Sequence, residues 1–206
     1  MTCIVGIQTG ALILMAADSL STSGDGGRLL PREDKIFSRD IDGIPLLVGT
    51  SGDFRISQVL RHMWQPKAAN HLEGTALIVA LASQIRELLR KEGVLVTEDG
   101  VESMDASVML GYRGELFVIY SDFSVISRQQ EYDAIGCGAH YALGVLFAAA
   151  AQDYDFDDIF AATLAARLAV KAAIEFDASC GGDIIVRFSG QLLPAKAGSL
   201  SLALRR

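Results

Sequence analysis

Thr2-Cys3-Ile4-Val5-Gly6-Ile7-Gln8-Thr9-Gly10-Ala11-Leu12-Ile13-Leu14-Met15-Ala16-Ala17-Asp18 holds two apolar runs, residues 2–9 and 11–17, parted by one glycine. The pattern predicts a β-hairpin with Thr9-Gly10 near its turn. Its arms match in length, so the return strand carries Asp18 back to the neighbourhood of residue 2. An acid straight after an apolar strand is ordinarily a turn former or a solvated end. Here it places a carboxylate near the start of the chain. Thr2 follows Met1 and is small enough for ordinary N-terminal processing to expose it. An N-terminal threonine carries a hydroxyl nucleophile and a free α-amine on one residue. With a pKa of about 7.7–8.0, that amine can take the hydroxyl proton near neutral pH. Taken alone, Thr2 is an ordinary second residue; the downstream pattern decides its meaning.

Beyond the hairpin, residues 20–34 read as a polar loop with Gly24, Gly26 and Gly27. Strands are expected at 35–37 and 44–50, turned by Asp42-Gly43. Ser51-Gly52-Asp53 can cap a helix over 54–64, where Phe54, Ile56, Val59, Leu60 and Met63 follow helical spacing. A second helix spans 74–91, with Leu77, Ile78, Leu81, Ile85, Leu88 and Leu89 on one face and Gly93 as its stop. A hairpin follows at 106–112 and 115–121, then a short strand at 124–128. Two alanine-rich helices are expected at 139–151 and 156–175. A last strand lies at 183–189, with an edge at 192–194. Strands grouped in this way argue for an α+β fold with antiparallel sheets. Helix pairs covering both sides would give a four-layer αββα sandwich, in one domain spanning 1–206.

Composition narrows the function classes. Half of the 206 residues are hydrophobic and 21% are charged, as in a globular chain. The net charge of −7, with no basic stripe, argues against nucleic-acid binding. No uncharged apolar stretch reaches ~18 residues, so no membrane span is expected. The start lacks a basic segment and a cleavage site, so no secretory leader is expected. Cys3, Cys137 and Cys180 are too few for a disulfide framework, and a reducing cytoplasm fits. His62, His71 and His140 lack paired ligand spacing. Asp153, Asp155, Asp157 and Asp158 suggest a calcium loop, but Asp158 stands where that loop needs glycine and Leu164 where it needs glutamate. These acids suit the start of the following helix better.

Six segments carry a resemblance. They are Met1-Thr2-Cys3-Ile4-Val5-Gly6, Ala16-Ala17-Asp18-Ser19, Lys35-Ile36-Phe37, Val48-Gly49-Thr50-Ser51-Gly52-Asp53, Ile135-Gly136-Cys137-Gly138-Ala139-His140 with the run to Leu146, and Asp177-Ala178-Ser179-Cys180-Gly181-Gly182. In this order and spacing the chain resembles the N-terminal-nucleophile hydrolases of the proteasome β-subunit and HslV peptidase family, as a divergent bacterial or phage-type homologue. The resemblance implies the Ntn-hydrolase fold, with Thr2 as nucleophile and its amine as general base. It implies Asp18 and Lys35 as the pair that tunes Thr2. Thr22 would align an extended peptide, and the Gly49 N–H would form the oxyanion hole. Asp177 would support the amine. Cys137 and Cys180 stand where the family carries serines near the nucleophile, and Lys35 comes one residue later than the family's spacing. Cysteine is also a common small core residue. If Cys137 and Cys180 share one pocket, oxidation of the pair would alter the site. Cys3 should point away from Thr2 across the strand.

No cofactor is required by the resemblance. Backbone carbonyls of Ile174, Asp177 and Cys180 would be the place for a structural monovalent or divalent cation. The implied activity is a threonine endopeptidase acting on peptide or unfolded protein, within a homo-oligomer of stacked rings. An ATP-dependent unfoldase would be its partner, since this chain has no ATPase motif. Two other readings stay open: a non-proteolytic amidohydrolase taking a small amide, and a catalytically silent ring-forming scaffold.

Overall fold

The computed structural model describes residues 2–10, 12–22, 27–68 and 71–189. Met1, Gly24, Gly26 and the edge expected at 192–194 lie outside the described residues. The opening hairpin is β1 (Ile4–Thr9) and β2 (Leu12–Asp18), with Ile4 opposite Ala17. A short ribbon follows, β3 (Ser21–Thr22) with β4 (Arg28–Leu29), inside the segment read as a loop. β5 (Ile36–Ile41) and β6 (Ile44–Gly52) are joined at Asp42-Gly43, where both residues take positive φ as a tight hairpin turn requires. α1 (Phe54–His62) starts on the Asp53 side chain, which accepts the Arg55 N–H. α2 (Gly74–Lys91) buries Leu77, Ile78, Leu81, Ala82, Ile85 and Leu89, the stripe its spacing predicts.

β7 (Val96–Glu98) and β8 (Val101–Ser103) form a small ribbon in a stretch where the pattern predicts no element. β9 (Ala106–Tyr112), β10 (Glu115–Ile119) and β11 (Val125–Ile126) then run as a meander. β12 (Tyr132–Ile135) is a strand that the sequence pattern does not reveal. Its Asp133 is buried and makes a 2.8 Å salt bridge to Arg128, so a residue that reads as polar sits inside. α3 (Ala139–Ala150) and α4 (Ile159–Phe176) come next, and β13 (Ile184–Phe188) closes the described chain. α4 begins three residues later than its apolar pattern suggests, because Asp158 accepts the Phe160 N–H and caps it. Asp157 accepts the Gly10 N–H at 2.8 Å and so ties the first hairpin turn to that cap.

Two larger antiparallel sheets result, ordered β12-β1-β2-β13 and β11-β10-β9-β6-β5. Three apolar clusters hold them. One joins α1 and α2 to an outer face of the second sheet through Ile56, Leu60, Leu81, Ile85, Val48 and Leu110. Another joins α3 and α4 to the first sheet through Val5, Leu14, Ala16, Leu146, Ala166 and Val170. The small side chains Ala162, Ala165, Ala166, Ala169 and Ala173 let α4 lie close to its neighbours. The third cluster lies between the sheets, where Ile4, Ile13, Met15, Leu47, Met109 and Val118 interleave. The grouping of strands and helices predicts such layers, and the first hairpin supplies residues to both of these last clusters.

Leu47 is 1% exposed in the layer between the sheets. Leu47→Ala is expected to cost about 2–5 kcal/mol, by lost transfer energy and the cavity left behind. The measurement is urea unfolding. A lower midpoint with an unchanged slope supports the assignment, and a midpoint equal to that of the parent chain contradicts it.

Candidate active site

The hairpin register brings Cys3 beside Asp18. Asp18 N–H donates to Cys3 O at 3.3 Å, and Cys3 N–H donates to Asp18 Oδ1 at 2.9 Å. The acid is therefore fixed one residue from Thr2. Its side chain is fully buried and accepts two further bonds, from Lys35 Nζ at 2.7 Å and from Gly181 N–H at 3.0 Å. Lys35 is itself only 9% exposed. A buried charge persists only when paired and hydrogen-bonded, and this carboxylate has both kinds of partner.

A cleft of about 950 Å³ opens over this pair, lined by Thr2, Thr22, Lys35, Gly52, Gly136 and Cys137 among others. Thr2 and Lys35 come from positions just before β1 and β5, Gly52 from the end of β6, and Gly136 and Cys137 from just after β12. Thr22 lies on β3 and is among the residues that line the cleft. Gly136 has φ 94°, and a Cβ there would sit 2.1 Å from the Thr2 carbonyl oxygen. Only glycine lets this turn approach the start of β1 so closely.

Gly49 does not reach the cleft, which corrects the expectation for the oxyanion donor. Asp53 N–H donates to Asp105 O at 2.8 Å, and Thr50 N–H donates to Lys35 O at 3.1 Å. Successive N–H groups of a central antiparallel strand alternate between its two neighbours. Gly49 N–H thus faces β9 opposite Met109, where the ladder takes it up. The Gly49 Cα looks onto Ile4 and Met15 in the core. Gly52 has the other parity and directs its N–H to the β5 side. β5 starts at Ile36, opposite Gly49, so that side is open at Gly52. Gly52 takes φ 108°, and a Cβ there would meet Asp105 O at 2.3 Å. The sequence signal was present: Ser51-Gly52-Asp53 reads as the turn into α1.

On the opposite wall a chain of polar atoms reaches Thr2. Asp177, at the C-terminal end of α4, accepts both the N–H and the hydroxyl of Ser179 on Oδ1. Ser179 Oγ lies 3.1 Å from Cys137 Sγ, and Thr2 N–H donates to Cys137 Sγ at 3.2 Å. Asp177 thus connects to the Thr2 nitrogen through Ser179 and Cys137. Ser179 was missed by the sequence reading; Asp177-Ala178-Ser179 is the spacing at which a carboxylate bonds its own backbone two residues on. Cys180 Sγ is 3.9 Å from Cys137 Sγ. Cys137 is exposed, whereas Cys180 and Cys3 are buried. Ile174 sits in the last turn of α4, where carbonyls lack helical partners, and the Asp177 carbonyl accepts the Cys180 N–H at 3.0 Å.

The hydrogen bonds from Ser179 hold the Asp177 carboxyl below its usual range. Cys180 gives its proton to the bond with Cys137, which keeps Cys180 protonated and pulls the Cys137 thiol down to about 6. Burial pushes Cys3 up to about 12. Of the three thiols, Cys137 is the one whose pKa is lowered, and it faces the cleft. Iodoacetamide is expected to alkylate Cys137 alone, with a rate that rises through a midpoint of about pH 6. Peptide mapping across pH 4.5–9 checks this on a ~unit scale. A midpoint near that of a free thiol would contradict the shared-proton arrangement.

No protein-family model and no curated protein matches the chain. Solved structures do. Thiobacillus denitrificans BPH is 24% identical, covers 94% of this chain and 100% of its own, and superposes with a TM-score of 0.72. The same protein has been solved in complex with epoxomicin. The Anbu complex from Pseudomonas aeruginosa, solved as a helical assembly, is 19% identical over 91% of this chain and 80% of its own, with a TM-score of 0.64. Eukaryotic HslV from Trypanosoma brucei is 20% identical over 91% and 98%, with a TM-score of 0.62. By its fold, the chain is similar to Thiobacillus denitrificans BPH, the Anbu complex and HslV.

Proposed function

We propose that the chain is a threonine peptidase of a single four-layer αββα domain, working through Thr2 once Met1 has been removed. The observation that carries this reading is the buried Lys35–Asp18 pair under the cleft that Thr2 lines. A lysine held beside the nucleophile supplies positive charge that favours the oxyanion of Thr2 Oγ. In the reaction, Thr2 Oγ attacks the scissile carbonyl carbon and its proton passes to the α-amine. The oxyanion takes a hydrogen bond from Gly52 N–H, which is the donor the cleft offers in place of Gly49. The amine returns the proton to the leaving amine, and the C–N bond breaks to leave an ester on Thr2. Water, deprotonated by the same amine, then hydrolyses that ester. Thr22 on the rim aligns an extended peptide by backbone pairing. Asp177, Ser179 and Cys137 hold the amine in place. A cation on the carbonyls of Ile174, Asp177 and Cys180 would steady the turn after α4; no step of the reaction passes through it.

We further propose that copies of the chain assemble, with an ATP-dependent unfoldase feeding the enclosed sites. Phe160, Leu164 and Leu168 are about half exposed and recur every four residues along α4, an apolar stripe suited to a second copy. The Anbu complex from Pseudomonas aeruginosa is a helical assembly, so stacked rings and open helices are both geometries to distinguish. The three free thiols suit a reducing cytoplasm. No helix among the described residues is long and apolar enough to cross a membrane.

Intact mass before and after a threonine-directed β-lactone tests the catalytic reading. Loss of Met1 with one adduct on Thr2, absent from Thr2→Ala, is the expected result. A retained Met1, or a free Thr2 that stays unlabelled, overturns it in favour of a scaffold. Leu164→Asp with Leu168→Asp is expected to reduce the assembled mass to that of smaller species in light scattering. An unchanged mass contradicts the α4 interface.

A further inference from the structure

Two sulfurs and a carboxylate converge behind the wall of the cleft, where Cys137 lines it. The ligating atoms of Cys137, Asp177 and Cys180 all lie within 4.8 Å of one another. We propose that these three side chains form a binding site for a soft, thiophilic divalent cation of the zinc class.

The spacing of the sulfurs carries the argument. Zinc binds thiolate at about 2.3 Å in tetrahedral geometry, which sets two bound sulfurs roughly 3.8 Å apart. Cys137 Sγ and Cys180 Sγ stand 3.9 Å apart. The two thiols are unbonded at this separation, and an ion can enter between them with little movement of either sulfur. The carboxylate is oriented for the same task. Both bonds from Ser179 fall on Asp177 Oδ1, which leaves Oδ2 to ligate. A ligating group whose other atoms are fixed by hydrogen bonds is the outer-shell support that metal sites use.

Access and shape also fit. Cys137 is exposed on the cleft, so an ion arrives from solvent, while Cys180 is 2% exposed and closes the inner side. Three protein ligands leave a fourth position for water, the pattern of an open zinc site. Thr2 N lies 3.2 Å from Cys137 Sγ. As a free amine it would be within reach of that fourth position, but the three-ligand site does not depend on it. Backbone carbonyls of the same turn would suit a hard cation with oxygen ligands. The side chains select the opposite class.

The test uses the full, reduced chain titrated with Co²⁺ and then with Zn²⁺. The expected result is one Co²⁺ per chain, with thiolate-to-cobalt charge-transfer absorption and the visible bands of a tetrahedral site, both erased by Zn²⁺. Cys137→Ser, at an exposed position, is expected to lose the saturable bands. Ser179→Ala is expected to weaken binding ~10–100-fold. Cys3→Ser is expected to bind as the parent chain does. Absence of saturable bands at one ion per chain overturns the proposal, as does binding unchanged in Cys137→Ser. The readout is spectroscopic, so a chain that ignores the β-lactone yet binds Co²⁺ supports this site while overturning the peptidase reading.

Discussion

The Asp18 carboxylate is the constraint on which the rest of the molecule depends. It is fully buried at the end of β2 and is held by three donors, Cys3 N–H, Gly181 N–H and Lys35 Nζ. Each donor comes from a different part of the chain: the start of β1, the turn before β13, and the start of β5. β1 and β13 flank β2 in one sheet, while β5 edges the other. A single desolvated charge thus joins the two sheets at one end. Taking one partner away would leave the other charge stranded in the interior, a loss of about 3–5 kcal/mol. The cleft therefore sits where the two sheets are least free to move apart.

The two walls of that cleft differ in chemistry. One carries the Lys35–Asp18 pair, whose charges are fixed and shielded from water. The other carries the Asp177–Ser179–Cys137 chain, whose exposed sulfur adjoins the Thr2 nitrogen. A thiol is a poorer hydrogen-bond partner than a hydroxyl, so sulfur at 137 and 180 makes weaker hydrogen bonds than serines would there. Sulfur brings reactivity and metal affinity in exchange. The Ser179 hydroxyl donates to the Asp177 carboxylate and lies 3.1 Å from the Cys137 sulfur.

Much of the fold was legible because the apolar pattern repeats with the period of each element. The β1–β2 hairpin, the α2 stripe and the β9–β10 hairpin stand where their sequences place them. β12 was not legible, because four residues with a central aspartate carry no strand period, and only its pairing with β1 makes it one. The β3–β4 and β7–β8 ribbons are likewise too short to print a pattern.

The sequence by itself determined the neighbourhood of Thr2 and Asp18, because a hairpin of matched arms must return to its start. The resemblance carried by the order of the motifs implied that Cys137, Asp177 and Cys180 lie near one site. Only the tertiary structure decided which glycine opens on the cleft. Gly49 and Gly52 belong to one strand, and the choice between them rests on the parity of β6 hydrogen bonds and on where β5 begins. Only the tertiary structure brought Ser179 between Asp177 and Cys137, and set the two sulfurs 3.9 Å apart. Periodicity fixes which face of an element is buried. Distances between groups far apart along the chain depend on how the layers dock, and no local pattern carries that information.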